Sequence, residues 1–503
     1  MPAFFKSLPA WISDLTTPLI STCGEVYLVG GAVRNLLLGL PIDDYDFVVR
    51  ENAIQGARTA ADILEGKYYI LDHQRQTARA LVTVNQVPIK LDFALFNGTN
   101  ITADLIARDF SINALALRLP VGNEINDPTG GREDLRDGIL RPCSKRSFSD
   151  DPVRTIRYIR FQQELHLKVS PEIKELVKEA SAALKSISGE RRRDALMDVI
   201  SVSDLRQAFN EMLELGIMEQ TIPDIASLNT IILTPPHTHN AWDHTIQVAH
   251  YCQQLMASWG FALSPPETQH PRISQALAYL VRYRIPLNEY FTEQLSPDRN
   301  KYQLLIISAL FHDAAKAMVS HEFSGERKRF PGHARAGAKK VMEWAKAQGF
   351  SNKEVDYLFR TVRTHMKVSR PEIIEPTNKN LAIHRFFKQA GDGGILTAIL
   401  HLADVLTTYE DAITDDRWND AVHAVDNLFD AYFFHHDEII TPPALLDGNA
   451  IMAQLQIPRG EQVGLLISAL QEAQVSGEVT TAHQAISFLR PLAAEIKDNG
   501  EEK

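Results

Sequence analysis

The hydrophobic period of this chain changes once, and that change limits what it can fold into. From residue 24 to about 119, short β-rich runs alternate with helical patterns; Val26–Val29, Phe47–Val49, Tyr68–Leu71, Arg79–Val84 and Ile89–Phe93 read as strands. After the turn signal Asp127-Pro128-Thr129-Gly130-Gly131 the strand signals fade, and amphipathic helical spacing dominates almost to the end. The expected fold is α+β, a small mixed α/β head on a long α-helical body. At 503 residues the chain also exceeds a single core. Proline pairs at Pro235-Pro236 and Pro442-Pro443 interrupt the helical patterns. Four parts are therefore expected: a head at 1–145, a helical neck at 146–235, a domain at 236–430 and a helical tail at 431–503. The segment 261–300 has a mixed pattern and receives no assignment.

Composition narrows the function classes. The chain is 45% hydrophobic, and no apolar run approaches the roughly 18 residues of a membrane span. Residues 1–20 lack the basic start and cleavage-like tail of a signal peptide, so a cytoplasmic protein is expected, with no membrane partner. Cys23, Cys143 and Cys252 have no metal spacing and suit reduced thiols. A net charge of -11 argues against a uniformly basic nucleic-acid coat. Arg132, Arg136, Arg141, Lys145, Arg146, Arg154, Arg157 and Arg160, followed by Arg191–Arg193, still cluster on this acidic background. They read either as a confined phosphate-binding surface or as solvated helix faces.

Within the head, Asp44 and Asp46 stand one residue apart on an expected strand, which sets both carboxylates on one face. Paired hard oxygen ligands suit Mg²⁺, with water and substrate phosphates completing its coordination. Gly30 and Gly31, just upstream, let backbone approach a phosphate closely. Asp92 interrupts the apolar alternation of Ile89–Phe93 and is either a third carboxylate of the same site or a solvent-facing residue. In Ala107–Ala116, Arg108 suits a phosphate, and Asp109 or Asn113 suits ribose hydroxyls.

Ser149–Phe161 begins with capping residues and a proline suited to a first helical turn, which would place Asp151, Arg154 and Arg157 on one helix face. Cytosine and adenine each present a donating exocyclic amine beside an accepting ring nitrogen. An aspartate beside an arginine complements that edge, whereas uracil and guanine reverse both groups. Asp151 with Arg154 is thus either a protein template for C and A or an ordinary helix salt bridge.

Gly30-Gly31-Ala32-Val33-Arg34 with Asp44-Tyr45-Asp46, then Arg108–Ala114, Asp150–Arg154 and Ser188–Arg192, resemble the ordered motifs of the class II tRNA nucleotidyltransferase and bacterial poly(A) polymerase family. The likeness spans about 24–200, with a weaker one at Leu446–Asn449 through Val463–Leu466. It implies a polymerase-β-like sheet in the head and catalytic metals on Asp44 and Asp46. It also implies a triphosphate on Gly30, Gly31 and Arg34, sugar and phosphates on Arg108 and Asp109, and base choice by Asp151 and Arg154. Asn35, Ala107 and Asp150 depart from the Asp, Arg and Glu that the family often has, all at side positions. The implied chemistry is in-line attack of an RNA 3′-hydroxyl on the α-phosphorus of CTP or ATP, with two metal ions and no covalent intermediate.

Beyond residue 236, His244, the dyad His312-Asp313, His333, His365 and Asp404 form a mixed imidazole and carboxylate set. It suits a divalent transition metal, against the alternative of histidines hydrogen-bonded in a core. The order resembles the HD metal-dependent phosphohydrolase superfamily over about 237–420, an all-α domain. That likeness implies ligands at His244, His312, Asp313 and Asp404, with His333 and His365 serving a second metal or the scissile phosphate; Mg²⁺ also remains possible there. A 2′,3′-cyclic phosphate on a damaged RNA end is one substrate such a site would hydrolyse.

The leading expectation is template-independent addition of C and A, as CCA, to tRNA 3′ ends, alongside HD phosphohydrolase activity. Within the same chemistry the alternative is an A-only enzyme or poly(A) polymerase. From another class it is an HD phosphohydrolase with a non-catalytic RNA-binding head. Expected partners are tRNA, CTP and ATP, and the oligomeric state is left open.

Overall fold

In the computed structural model, which describes residues 8–42, 44–121, 124–261, 269–296, 299–325, 327–375 and 377–501, Tyr45 and Phe47 fix the register of the head. Both are buried, Tyr45 against the edge of Trp11 at 4.9 Å and Phe47 stacked on Phe93 at 5.0 Å. Each buried aromatic stabilises this register by about 1.5–3 kcal/mol. A slip of one residue would carry Asp44 and Asp46 into the core instead.

The chain forms two units, Met1–Ile187 with Leu215–Ile217, and Ser188–Glu214 with Met218–Lys503. The first holds a six-stranded sheet built from β1 (Val26–Val29), β2 (Asp44–Val49), β3 (Lys67–Asp72), β4 (Thr77–Val84), β5 (Val87–Leu95) and β6 (Ala116–Arg118). Its spatial order is β3-β4-β5-β2-β1-β6. Only β2 and β5 pair in parallel, which sets Asp46 opposite Asp92. One face is covered by the helices Trp11–Cys23 and Ala53–Ile63, whose Leu15, Leu19, Ala57 and Ala60 join the main head core. Helices Ser147–Asp150, Arg154–Glu164 and Pro171–Ser181 complete the unit.

The second unit is mainly helical. Lys301–Phe311 is buried at every position, as its run Leu304-Leu305-Ile306-Ile307 dictates, and it starts at a capping box between Asn300 and Gln303. Around the expected histidine set lie Ala241–Trp259, His333–Ala347, Asn352–Thr364, Gly394–Tyr409 and Asp415–Phe434. Two ribbons of two- and three-residue strands depart from the all-α expectation, Gln294–Ser296 with Arg299–Asn300 and Glu322–Ser324 with Arg327–Arg329. The unassigned segment supplies helices Pro271–Tyr279 and Arg284–Thr292; 262–268 and 297–298 lie outside the described residues. Three last helices, Gly448–Leu455, Glu461–Val475 and Ala482–Glu501, share a small core around Ile451, Leu466, Leu470 and Leu489. No helix among the described residues is long and apolar enough to cross a membrane. The α+β architecture is the expected one.

Candidate functional site

In the first unit Asp44 and Asp46 open onto a cleft of about 500 Å³. Gly30, Gly31, Arg34, Arg108, Asp109, Asn113, Asp151, Arg154 and Arg157 line the same cleft, so one space gathers residues 30 to 157. Gly30 has φ +71°, and a Cβ there would stand 3.1 Å from Arg108 Nη1 and 3.5 Å from Asp46 Oδ2. A side chain would therefore crowd both groups. The helix Gly31–Leu38 begins at this point, so the N–H groups of its first turn face a place suited to phosphate.

Burial raises the Asp46 carboxyl to about 6, reinforced by the neighbouring charges of Asp92 and Asp44 and opposed by Arg108. Carboxylates packed together in this way fit a divalent cation, which would relieve their mutual repulsion. Asp92 itself does not line the cleft. Arg79 engages both its oxygens, at 2.6 and 2.8 Å, while the Asp92 side chain stays 30% exposed, so in this arrangement its carboxylate is committed to the guanidinium.

The cations are held from behind. Buried Arg34 donates to Asn113 Oδ1 at 2.8 Å and to Asn35 Oδ1 at 3.1 and 2.9 Å, so the neutral Asn35 orients the guanidinium without cancelling its charge. Asp104 accepts from Arg108 Nε at 3.1 Å. Asp109 Oδ1 accepts from Phe110 N at 2.8 Å and Asn113 Nδ2 at 3.3 Å, while its Oδ2 lies 2.8 Å from Arg157 Nη2. Arg154 donates to the carbonyls of Ala107 at 2.8 Å and Arg108 at 3.2 Å and to Ser147 Oγ at 2.9 Å. Its Nε stands 4.0 Å from Asp151 Oδ2, so the two side chains are neighbours with separate anchors.

The expected helix carrying Asp151 starts later than its sequence suggests. Asp151 is extended, with φ -146° and ψ 95°, and the helix runs Arg154–Glu164. Pro152 disfavours helical geometry in the residue before it. Asp104, four residues before Arg108 on the helix Ile101–Ile106 and its cap, escaped sequence reading. The i,i+4 spacing to Arg108 was the available signal. Most of the basic segment is paired: Arg136 with Glu133 and Asp137, Arg141 with Asp134, Lys145 with Glu172, Arg146 with Asp150, and Arg160 with Glu164. The pairs with both partners exposed, at Arg136, Lys145 and Arg146, are individually weak.

In the second unit all six expected ligands converge. His244 Nε2 lies 3.1 Å from Asp404 Oδ1 and 3.7 Å from Asp313 Oδ2; His312 Nε2 is 3.3 Å from Asp313 Oδ2. His333 Nε2 is 3.5 Å from Asp313 Oδ1 and 3.2 Å from His365 Nε2. Two ligand groups result, His244-His312-Asp313 and Asp313-His333-His365, with Asp313 common to both. The helix ends create this geometry: Nδ1 of His312, His333 and His365 each lies 2.7 Å from the carbonyl three residues back, which turns Nε2 towards the centre.

Protonation suits metal binding. Burial pushes the His365 imidazole down to about 3, assisted by His312 and His333, and lowers His244. Burial opposes ionisation of Asp313, but Lys316 at 2.5 Å and His312 outweigh it and hold the carboxyl well below its usual range. His312 is the exception: burial pushes it down, yet the Asp313 carboxylate holds it above its ordinary value. Its Nε2 is buried with the Asp313 carboxylate beside it at 3.3 Å, and a cation bound between the two would replace the proton on that nitrogen. Beside the cluster opens a cavity of about 730 Å³ lined by Asp313, Lys316, His333, His365 and Asp404, and by His237 and His401. Burial lowers both of the last two to about 4. Sequence reading missed His237, Lys316 and His401, although Lys316 follows His312-Asp313 at i,i+3 spacing from the aspartate.

Three family models match the chain: the poly A polymerase head domain over 26–141, the probable RNA and SrmB-binding site of polymerase A over 166–228, and the HD domain over 241–409. The chain is 27% identical over 474 residues to the A-adding tRNA nucleotidyltransferase of Deinococcus radiodurans, covering 93% of this chain and 95% of that protein. It is 25% identical over 481 residues to the CC-adding tRNA nucleotidyltransferase of Thermus thermophilus, covering 92% and 93%. A solved structure of a CCA-adding enzyme with ATP shares the fold, at TM-score 0.59 and 19% identity over 98% of this chain and 97% of that one. Nucleotidyltransferase and HD families are metal-dependent, in keeping with the two acidic and histidine-rich clusters. The chain belongs to the class II tRNA nucleotidyltransferase and poly(A) polymerase family, and is an enzyme of that kind with an HD domain in its body.

Proposed function

We propose that the protein adds C and A, as CCA, to tRNA 3′ ends from CTP and ATP without a nucleic-acid template. The observation that carries this reading is that Asp44 and Asp46 share one cleft with Arg34, Arg108 and the Asp151–Arg154 neighbours. Asp44 and Asp46 would hold Mg²⁺, which when bound supplies Lewis-acid activation of the attacking hydroxyl and neutralises the leaving pyrophosphate. The first-turn amides after Gly30, with Arg34 and Arg108, bind the triphosphate and fix its α-phosphorus for in-line attack. Asp109 and Asn113 face the ribose. Arg157 restrains Asp109, and Asp151 with Arg154 reads the base edge. Asp92, tied to Arg79, acts through the charge it places beside Asp46.

The histidine and aspartate cluster supports a second activity, hydrolysis of a phosphoester such as a 2′,3′-cyclic phosphate on an RNA end. His244, His312, Asp313 and Asp404 would hold a divalent transition metal or Mg²⁺, with His333 and His365 beside them, and the ion when bound activates water and phosphoester. Lys316 places a cation at the cavity wall. This reading keeps the four-part division at 1–145, 146–235, 236–430 and 431–503, and places the enzyme in the cytoplasm with tRNA. A second reading, addition of A alone or of CC alone, is favoured by the names of the A-adding and CC-adding relatives that match along nearly their whole length.

Incorporation of labelled CTP and ATP into a tRNA transcript tests the proposal. It is expected in the wild type and lost in Asp44→Ala and Asp46→Ala at unchanged circular dichroism. Undiminished incorporation in both variants would contradict it.

A further inference from the structure

The ribbon Glu322–Ser324 with Arg327–Arg329 carries an aromatic side chain with no place in either activity as described. Phe323 is 66% exposed. It pairs directly across the ribbon with Lys328, so the two side chains share a face, and Lys328 lines the cavity at the histidine and aspartate cluster. Rings step inward from it: the His321 ring lies 5.6 Å from Phe323 and 6.3 Å from Phe330, and Phe330 is part of the cavity wall. The ammonium groups of Lys316 and Lys328 stand 5.7 and 5.3 Å from the Phe330 ring. Aromatic faces interleaved with ammonium groups match a nucleotide, whose base stacks while its phosphate takes the cations. A phosphoester without a ring would leave Phe323 unused.

We propose that this ribbon is a nucleobase platform: the phosphoester processed at the cluster belongs to a nucleoside whose base stacks on Phe323. This rests on reading the cluster as a phosphohydrolase centre. For a 2′,3′-cyclic phosphate the reaction balances with water alone. The water oxygen bonds to phosphorus, one ring P–O bond breaks, and the freed ribose oxygen takes a proton.

The test compares adenosine 2′,3′-cyclic phosphate with ribose 2,3-cyclic phosphate, using full-length metal-loaded protein. Base stacking predicts that wild-type kcat/KM favours the nucleoside by about tenfold or more. The ratio falls towards one in Phe323→Ala and is kept in Phe323→Trp. A ratio near one in the wild type, or one unmoved by Phe323→Ala, overturns the proposal. If neither compound is cleaved, the phosphohydrolase reading fails, and a binding measurement still decides the platform. In EDTA-treated Phe323→Trp the added indole emission is expected to be quenched by the nucleoside and not by the abasic ribose compound; equal response to both overturns it. A short RNA ending in a cyclic phosphate, assayed in parallel, separates an RNA end from a free mononucleotide as the source of the base.

Discussion

Arg79 clamps Asp92 through two hydrogen bonds, at 2.6 and 2.8 Å, and Asp92 stands directly across the β2–β5 pair from Asp46. The two aspartates thus occupy equivalent positions on neighbouring strands with different freedom. Asp46 faces the cleft, whereas both Asp92 oxygens are committed. Asp92→Asn is therefore expected to slow nucleotide incorporation by less than about tenfold, and Asp46→Asn by about 10³-fold or more, the scale of losing a group that acts on transition-state charge. Steady-state kinetics at saturating Mg²⁺ checks the difference, and equal losses would show that Asp92 leaves Arg79 to join the metal site.

Asp46 sets a pH limit on metal binding. Its carboxyl lies at about 6 through burial and the charges of Asp92 and Asp44. A divalent ion must displace that proton, so affinity at the head is expected to be flat above about pH 7 and to fall by about tenfold per unit below 6. Because this carboxyl is raised in the fold, its contribution to metal-free stability is present at low pH and lost as pH rises through about 6. Mn²⁺ titrations followed by electron paramagnetic resonance, in a His312→Ala background to limit binding elsewhere, measure the affinity.

Base choice is expected to rest on Asp151 more than on the position of Arg154. Arg154 is fixed by the carbonyls of Ala107 and Arg108, so its donors stay oriented when Asp151 is removed. Asp151→Ala should cut discrimination of CTP and ATP against UTP and GTP by about tenfold, the value of about one hydrogen bond to a charged group. Competition assays with all four triphosphates read this directly, and unchanged discrimination would return the pair to an ordinary structural role.

Metal content separates the two sites. His312→Ala and Asp313→Asn remove ligands from groups that share Asp313, so both are expected to lower the metal content of the purified protein while tRNA extension persists. Elemental analysis of the purified variants checks the first expectation and an incorporation assay the second.

Particular residues explain how much of this was legible in the sequence. Asp44 and Asp46 could be placed because Tyr45 and Phe47 alternate with them and must be buried. The histidine set was legible because His244, His312, His333 and His365 follow in order on or at the ends of helical segments, with an aspartate directly after His312. Strand β6 was not, since its three residues, buried Ala116 and Leu117 and exposed Arg118, are too few to show an alternation. Nor was the Arg79–Asp92 clamp, which depends on the pairing of β4 with β5 and leaves no mark in either strand alone. The late start of the helix after Asp151 follows from Pro152, whose effect on the preceding residue outweighs its fitness for a first helical turn.

The most direct test of C and A addition uses a tRNA transcript lacking its three 3′-terminal nucleotides, incubated with CTP alone, ATP alone or both. The account predicts extension by two nucleotides with CTP, none with ATP alone, and three with both. Failure to extend with CTP, or arrest after CC when ATP is present, would contradict it.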